Sequence, residues 1–192
     1  FSLDLEMPSP IVPRHLRFEI EERINFKGEI IKSLDETGLI KVAKKIAKSG
    51  VGTLAIVFMH SFKNAIHEKL AKKIIEAHVP NLNICLSSIV SPEIGEYERT
   101  STSVANAYVQ PIFKSYVTSL VKGLKKIGIT NDLFLMLSDG GIVHQKTAIE
   151  FPIRLVQSGP AGGAQAATLY GKILKQNNIL CFDMGGTTAK AC

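Results

Sequence analysis

Nowhere in this sequence do two cysteines stand as CxxC. Cys85, Cys181 and Cys192 are widely separated and lie in or beside apolar runs. A disulfide framework is therefore not supported, and reduced thiols in a cytosolic-type, cytoplasmic protein are expected. No apolar run approaches the roughly 18 residues of a membrane span. The opening FSLDLEMPSP has no basic region followed by an apolar core, so it does not read as a signal peptide. It also has no initiating Met, and the chain stops abruptly at FDMGGTTAKAC, so a piece of a longer polypeptide is expected. Internal repeats and low-complexity tracts are missing. So are GxxxxGK followed by Ser or Thr, and GxGxxG, which removes the P-loop and the dinucleotide fingerprint.

What remains is an ordinary globular composition, 192 residues with 45% hydrophobic and 21% charged. That length buries one sizeable core or two small ones. The net charge of +6 is dispersed. Lys44, Lys45 and Lys48, then Lys69, Lys72 and Lys73, then Lys122, Lys125 and Lys126 alternate with apolar positions. They read as solvated helix faces rather than a nucleic-acid surface.

Along the chain, Pro8, Pro10 and Pro13 precede LRFEIEERI, whose alternation from Leu16 to Ile24 predicts an exposed strand with Phe18 and Ile20 on one face. From Asp35 or Thr37, as caps, the period becomes helical: Leu39, Val42, Ala43 and Ile46 share a face, and Gly50 closes the helix. TLAIVFM (53–59) predicts a strand buried on both faces. A helix through Leu70, Ala71, Ile74 and Ile75 ends before Pro80, and NICLSSIV (83–90) predicts another strand. This β–α–β order implies a parallel or mixed sheet covered by helices. A long helical stretch follows, from about Arg99 to Ile127, which Pro111 divides or kinks. LFLML (133–137) predicts a buried strand before the turn at Asp139-Gly140-Gly141, and IRLVQ a short one. SGPAGGAQAATLYGKIL predicts a helix with Ser158 as cap and Pro160 in its first turn, and ILCFDM the final strand.

Chemistry concentrates in Asp183 to Lys190. Gly185 and Gly186 after a strand free backbone N–H groups for an anion, Thr187 and Thr188 add hydroxyls, and Lys190 adds a mobile charge. Asp183 suits a metal or its bound water. The same residues also read as a plain β-hairpin closed by a glycine pair. Glu96, Glu98 and Arg99 could orient a substrate or bridge lobes; the favoured reading is a helix-start salt bridge capped by Thr100 or Ser101. His60, His67 and Glu68 lack a third metal ligand and read as loop or core residues. Cys181 reads as an inert thiol.

A small-residue helix from SGPAGG feeding ILCFDMGGTTAK resembles the connecting helix and second phosphate hairpin of the actin-like ATPase superfamily. SPEIGEYERTSTSVANAYVQP (Ser91–Pro111) and HSFKNAIHE (His60–Glu68) closely resemble blocks of the N-methylhydantoinase A / 5-oxoprolinase / acetophenone carboxylase family. LMLSDGGIV, SGPAGG and FDMGGTTAK follow in that family's order, so the resemblance spans nearly the whole chain.

The resemblance implies an α/β fold, a fragment of an actin-like (ribonuclease H-like) ATPase. Residues 1–178 would be the later part of the N-terminal lobe with its connecting helix, and 179–192 the first strand and phosphate hairpin of the second lobe. It implies an enzyme using ATP and Mg²⁺ to phosphorylate a cyclic amide or carbonyl oxygen before hydrolysis or carboxylation. A hydantoinase B-type subunit or fused domain would be the partner, with no nucleic acid or membrane. Asp183 and Lys190 would be catalytic, with Asp183 also reaching the metal. Gly185, Gly186, Thr187 and Thr188 would hold phosphate. Glu98, Arg99, Ser158 and Gly159 would face the substrate or the lobe interface. The small residues Gly162, Gly163, Ala166 and Ala167 would let the lobes pack closely. No first-lobe DxGGTxxD occurs, so the segment alone is expected to be inactive. Many members read DMGGTSTD where this chain reads DMGGTTAK, which sets Lys190 where an acid would stand and makes it a phosphate-neutralising group rather than a metal ligand. A sugar-kinase-like ATPase of the same superfamily, or a non-catalytic module keeping the lobe architecture, are the alternatives.

Overall fold

The computed structural model describes residues 9–192; Pro8 and most of FSLDLEMPSP lie outside them. The architecture is mixed α/β in two compact units, one ending at Pro111 and one running from Ile112 to Cys192.

In the first unit, Leu16, Phe18, Ile20, Glu22 and Ile24 turn inward while Arg17, Glu19, Glu21 and Arg23 face solvent. The predicted alternation is present, but the predicted strand is not. Only β1 (Arg23–Ile24) is laddered, antiparallel to β2 (Ile30–Lys32), because the three-residue β2 offers nothing for residues 16–22 to pair with. Helix α1 (Glu36–Ser49) begins where the Asp35 carboxylate accepts the Gly38 N–H at 2.9 Å and ends on Gly50 at φ +71°. That conformation suits a residue without Cβ. Leu39, Ala43 and Ile46 are its buried face.

Strands β3 (Thr53–Ile56) and β4 (Asn83–Leu86) pair in parallel, with Thr53 opposite Asn83 and Ile56 opposite Leu86. Helix α2 (Ile66–His78) makes the crossover and packs on α1. Leu34, Leu39, Ala43, Ile56, Ala71, Ile75 and Leu86 form the core. The predicted strand 83–90 stops at Leu86. Ser87–Val90 instead forms a helical turn, α3, because the Ser87 and Ser88 side chains and the Ser88 N–H turn onto the Glu68 carboxylate. Helix α4 (Glu96–Lys126) runs through Pro111 as one element rather than two.

In the second unit, β5 (Phe134–Met136) and β6 (Ile142–His144) form an antiparallel hairpin, whose Asp139-Gly140-Gly141 turn needs Gly140 at φ +84°. Phe134 is exposed, so β5 is an outlying ribbon rather than the expected buried strand. Helix α5 (Gln145–Glu150) leads into a 3-10 turn at Pro152–Leu155, where a strand was expected. Proline with its fixed φ at the first position favours the helical start. Helix α6 (Ser158–Leu174) then precedes the antiparallel pair β7 (Phe182–Met184) and β8 (Ala189–Ala191). Among the described residues, no helix is long and apolar enough to cross a membrane.

Replacing Asp35 with Ala removes the α1 cap and is expected to lower stability by about 1 kcal/mol. Chemical denaturation should detect it, and an unchanged midpoint would contradict the capping role.

Candidate functional site

The β7–β8 ribbon sets Asp183 opposite Lys190 and Met184 opposite Ala189, leaving Gly185 to Thr188 as its tip. Cys181, Asp183, Lys190 and Cys192 therefore share one face, since every second residue of a strand points the same way. At the tip the Gly185 N–H donates to the Thr188 carbonyl at 3.0 Å, and the Thr187 and Thr188 hydroxyls lie 3.4 Å apart. The N–H groups of Gly186 and Thr187 make no bond among the described residues. Neither glycine has positive φ, so the backbone does not require glycine at either position. A Cβ on Gly186 would meet nothing within 4 Å. The space beside Gly186 therefore has no function in packing this chain. It suits an anion approaching bare amide groups.

Lys190 reaches across to the start of α6, where its Nζ donates to Gln157 Oε1 at 2.8 Å. Gln157 sits in the left-handed region (φ 67°), and no side chain caps the helix behind it. This corrects the expectation for Ser158, which is the first helical residue rather than the cap. Ser158 and Gly159 thus lie in the uncapped, partially positive first turn of a helix. A Cβ on Gly159 would also meet nothing within 4 Å. Lys190 bonds a neutral amide, and although Asp183 is its cross-strand neighbour, neither forms an ion pair among the described residues. Lys190 thus joins the α6 start to the ribbon that carries Asp183 and the tip, within one unit. Gln157, which joins them, carried no sequence signal.

Gly162 and Gly163 of α6 receive neighbours in the same unit. A Cβ on Gly162 would stand 3.0 Å from Met136 Sδ, and one on Gly163 would stand 3.8 Å from Cys181 Sγ. Ala164, Ala167 and Gly171 line a cleft of about 720 Å³ that also holds Cys181 and Cys192. Partial desolvation, the bond to the Cys192 thiol, and the charges of Cys192 and Asp183 push the Cys181 thiol above its ordinary pKa.

The first unit carries a different polar cluster, at the carboxyl ends of β3 and β4. Arg99 forms the expected helix-start ion pair, its Nη2 3.8 Å from Glu96 Oε1, but it is fully buried rather than on the surface. Its Nε donates to Ser87 Oγ at 3.2 Å, Nη1 to the Glu93 carbonyl at 3.1 Å and Nη2 to the Phe58 carbonyl at 2.8 Å. Its guanidinium lies 5.5 Å from the Phe62 ring centre. Glu68, also fully buried, accepts from Ser87 Oγ at 2.5 Å and from the Ser88 N–H and hydroxyl at 2.9 and 2.6 Å. Ser87 Oγ is the bridge between the two charges. Glu98 takes no part: it is exposed, folded over Gly95. Thr100 does not cap α4; its hydroxyl donates back to the Glu96 carbonyl at 2.6 Å. His67 is a buried histidine, its Nδ1 2.7 Å from Glu22 Oε2. Among the described residues, no group of three or more His, Cys, Asp or Glu is placed to hold a metal.

Comparison with known proteins places these features in context. The hydantoinase/oxoprolinase family profile matches residues 99–192, and that family's N-terminal region profile matches residues 1–79. An uncharacterised protein of Methanocaldococcus jannaschii is 44% identical over 100% of this chain and 28% of its own length. Caprolactamase subunit alpha of Pseudomonas jessenii is 32% identical over 93% of this chain and 26% of the relative. The 5-oxoprolinase of Saccharomyces cerevisiae is 37% identical over 83% of this chain and 12% of the relative. The crystal structure of ATP-dependent caprolactamase from Pseudomonas jessenii superposes with a TM-score of 0.87 at 28% identity. It covers 100% of this chain and 28% of that one. The chain thus spans about a quarter or less of the length of these curated relatives.

The buried cluster makes a testable distinction between neighbours. Arg99→Ala leaves Ser87 Oγ and the Phe58 and Glu93 carbonyls without this donor and buried Glu68 without a compensating charge, and should cost about 3 kcal/mol of stability. Glu98→Ala, at an exposed position, should stay within about 0.5 kcal/mol. Equal losses in urea denaturation would contradict this division.

Proposed function

The chain belongs to the hydantoinase/oxoprolinase family, and from that footing we propose that it forms part of an ATP-dependent enzyme acting on a cyclic amide or carbonyl compound. The reaction proposed is transfer of the γ-phosphoryl group to the substrate's oxygen, which converts a poor leaving group into a good one before hydrolysis, or before carboxylation. Residues 1–178 belong to the later part of the first lobe and 179–192 open the second. The relatives' printed names support the activity, since they include a caprolactamase and a 5-oxoprolinase. Caprolactamase is named there as a subunit, which supports a hydantoinase B-type partner subunit or fused domain here as well.

One observation carries the proposal: Lys190, on the ribbon that bears the open glycine tip, reaches the uncapped start of α6 through a neutral amide. The residues fit a nucleotide phosphate. The amides of Gly186 and Thr187 and the hydroxyls of Thr187 and Thr188 donate to phosphate oxygens. Lys190 offsets charge that builds up during transfer, and the α6 dipole adds to it. Asp183, a carboxylate free of ion pairs, suits Mg²⁺ directly or through water. When bound, Mg²⁺ would neutralise phosphate charge.

In the intact protein, ATPase activity should be stimulated by one of three substrate classes: oxoproline, a hydantoin or lactam, or a ketone. Lys190→Ala should lower kcat about 100-fold with the fold retained. Asp183→Asn should instead raise the Mg²⁺ concentration needed for half-maximal rate. Wild-type rates in both variants would remove the hairpin from the mechanism. The 192-residue segment alone holds one of the two phosphate hairpins expected, and should show no saturable ATP binding by micromolar calorimetry; tight binding would move the proposed lobe boundary.

A further inference from the structure

The two strands of the phosphate hairpin meet, beyond the Phe182–Ala191 pair, at Cys181 and Cys192. The Cys181 N–H donates to the Cys192 carbonyl at 2.8 Å, and the Cys192 N–H returns the bond to Cys181 at 3.0 Å. This is a hydrogen-bonded antiparallel pair, in which Cα atoms stand about 5.5 Å apart. That spacing lies inside the roughly 4.4–6.8 Å range that a disulfide bridges. Strand alternation puts both side chains on the face of Asp183 and Lys190. Cys192 is exposed, Cys181 is half-buried, and both line the cleft of about 720 Å³ against α6. Cys85, the remaining cysteine, is buried in the first unit and serves as an internal control.

We propose that Cys181 and Cys192 form a reversible disulfide across the base of the hairpin, formed by exchange with a low-molecular-weight disulfide. The exposed Cys192 loses its proton and attacks one sulfur of the incoming disulfide, releasing one small thiol and leaving a mixed disulfide. Cys181 then loses its proton and attacks the Cys192 sulfur, releasing the second small thiol. Two electrons and two protons pass from the protein thiols to the two small thiols, and one sulfur–sulfur bond replaces another.

Closure has a mechanical consequence. Cβ atoms of a cross-strand pair lie about 4.5–5.5 Å apart, and a disulfide needs about 3.8 Å. The strands are drawn together two residues below the Asp183–Lys190 pair, which shifts Asp183 against Lys190. Formation of the bond stands apart from the proposed phosphate role, whereas its effect on activity rests on that role.

The test is titration of the intact protein with oxidised glutathione, followed by alkylation and peptide mass spectrometry, with ATPase rates measured in parallel. The expected result is a linked Cys181–Cys192 peptide that dithiothreitol releases, with Cys85 still a free thiol. ATPase should fall about 10-fold to 100-fold, as for an ångström-scale misplacement, and recover on reduction. Cys192→Ser should abolish both the link and the sensitivity. Persistence of both free thiols at equilibrium, or glutathione mixed disulfides alone, would overturn the proposal. A linked peptide with unchanged ATPase would confirm the bond and overturn the phosphate role assigned to the hairpin.

Discussion

The hydrogen bond from Lys190 to Gln157 fixes the geometry on which the functional account depends. It ties the end of a short ribbon to the beginning of a 17-residue helix, and it does so without cancelling the lysine's charge. An Asp or Glu in place of Gln157 would make a tighter tie but would neutralise the site. The left-handed conformation of Gln157 turns the chain into α6 and leaves the first-turn N–H groups uncapped. One contact therefore brings an ammonium to a helix start, on the same ribbon whose glycine tip carries bare amides. Their coincidence, rather than any one of them, supports an anion in the proposed reading.

The first unit solves a different problem. A parallel β–α–β unit leaves its chemistry at the carboxyl ends of the strands, and here that edge is filled by Glu68, Arg99 and the serines around them. Two full charges taken out of water demand complete hydrogen bonding. Ser87 supplies it by donating to one charge and accepting from the other. The same demand reshapes the backbone. Residues 87–90 abandon the strand so that Ser87 and Ser88 can meet Glu68, and α4 starts where Arg99 can be reached by the Phe58 and Glu93 carbonyls.

Much of this was legible in the residues themselves. Asp35, the Leu39–Ala43–Ile46 face and Gly50 locate α1 nearly to the residue, because a cap, a period and a stop agree. The final hairpin and the Gly140 turn were visible as glycine chemistry after apolar strands. Alternation in LRFEIEERI correctly divided inner from outer residues, but strand pairing depends on a partner, and β2 is too short to provide one. Glu22 was hidden in that run as an ordinary charge, although it faces inward to His67. Arg99 looked like a surface ion because its partners lie up to 41 residues away in sequence. Gln157 was invisible for the same reason: its meaning comes from Lys190, 33 residues later. Long-range partners, not local propensity, account for what the sequence concealed. The family resemblance found the blocks, and the geometry supplied which of their residues meet.

The central claim is that residues 182–191 grip the terminal phosphates of a nucleotide. Hydrogen–deuterium exchange of the intact protein, with and without a non-hydrolysable ATP analogue and Mg²⁺, tests it most directly. The account predicts slowed exchange at the Gly186 and Thr187 amides and in the first turn of α6. Saturating analogue that protects other segments while leaving both of these unchanged would contradict it.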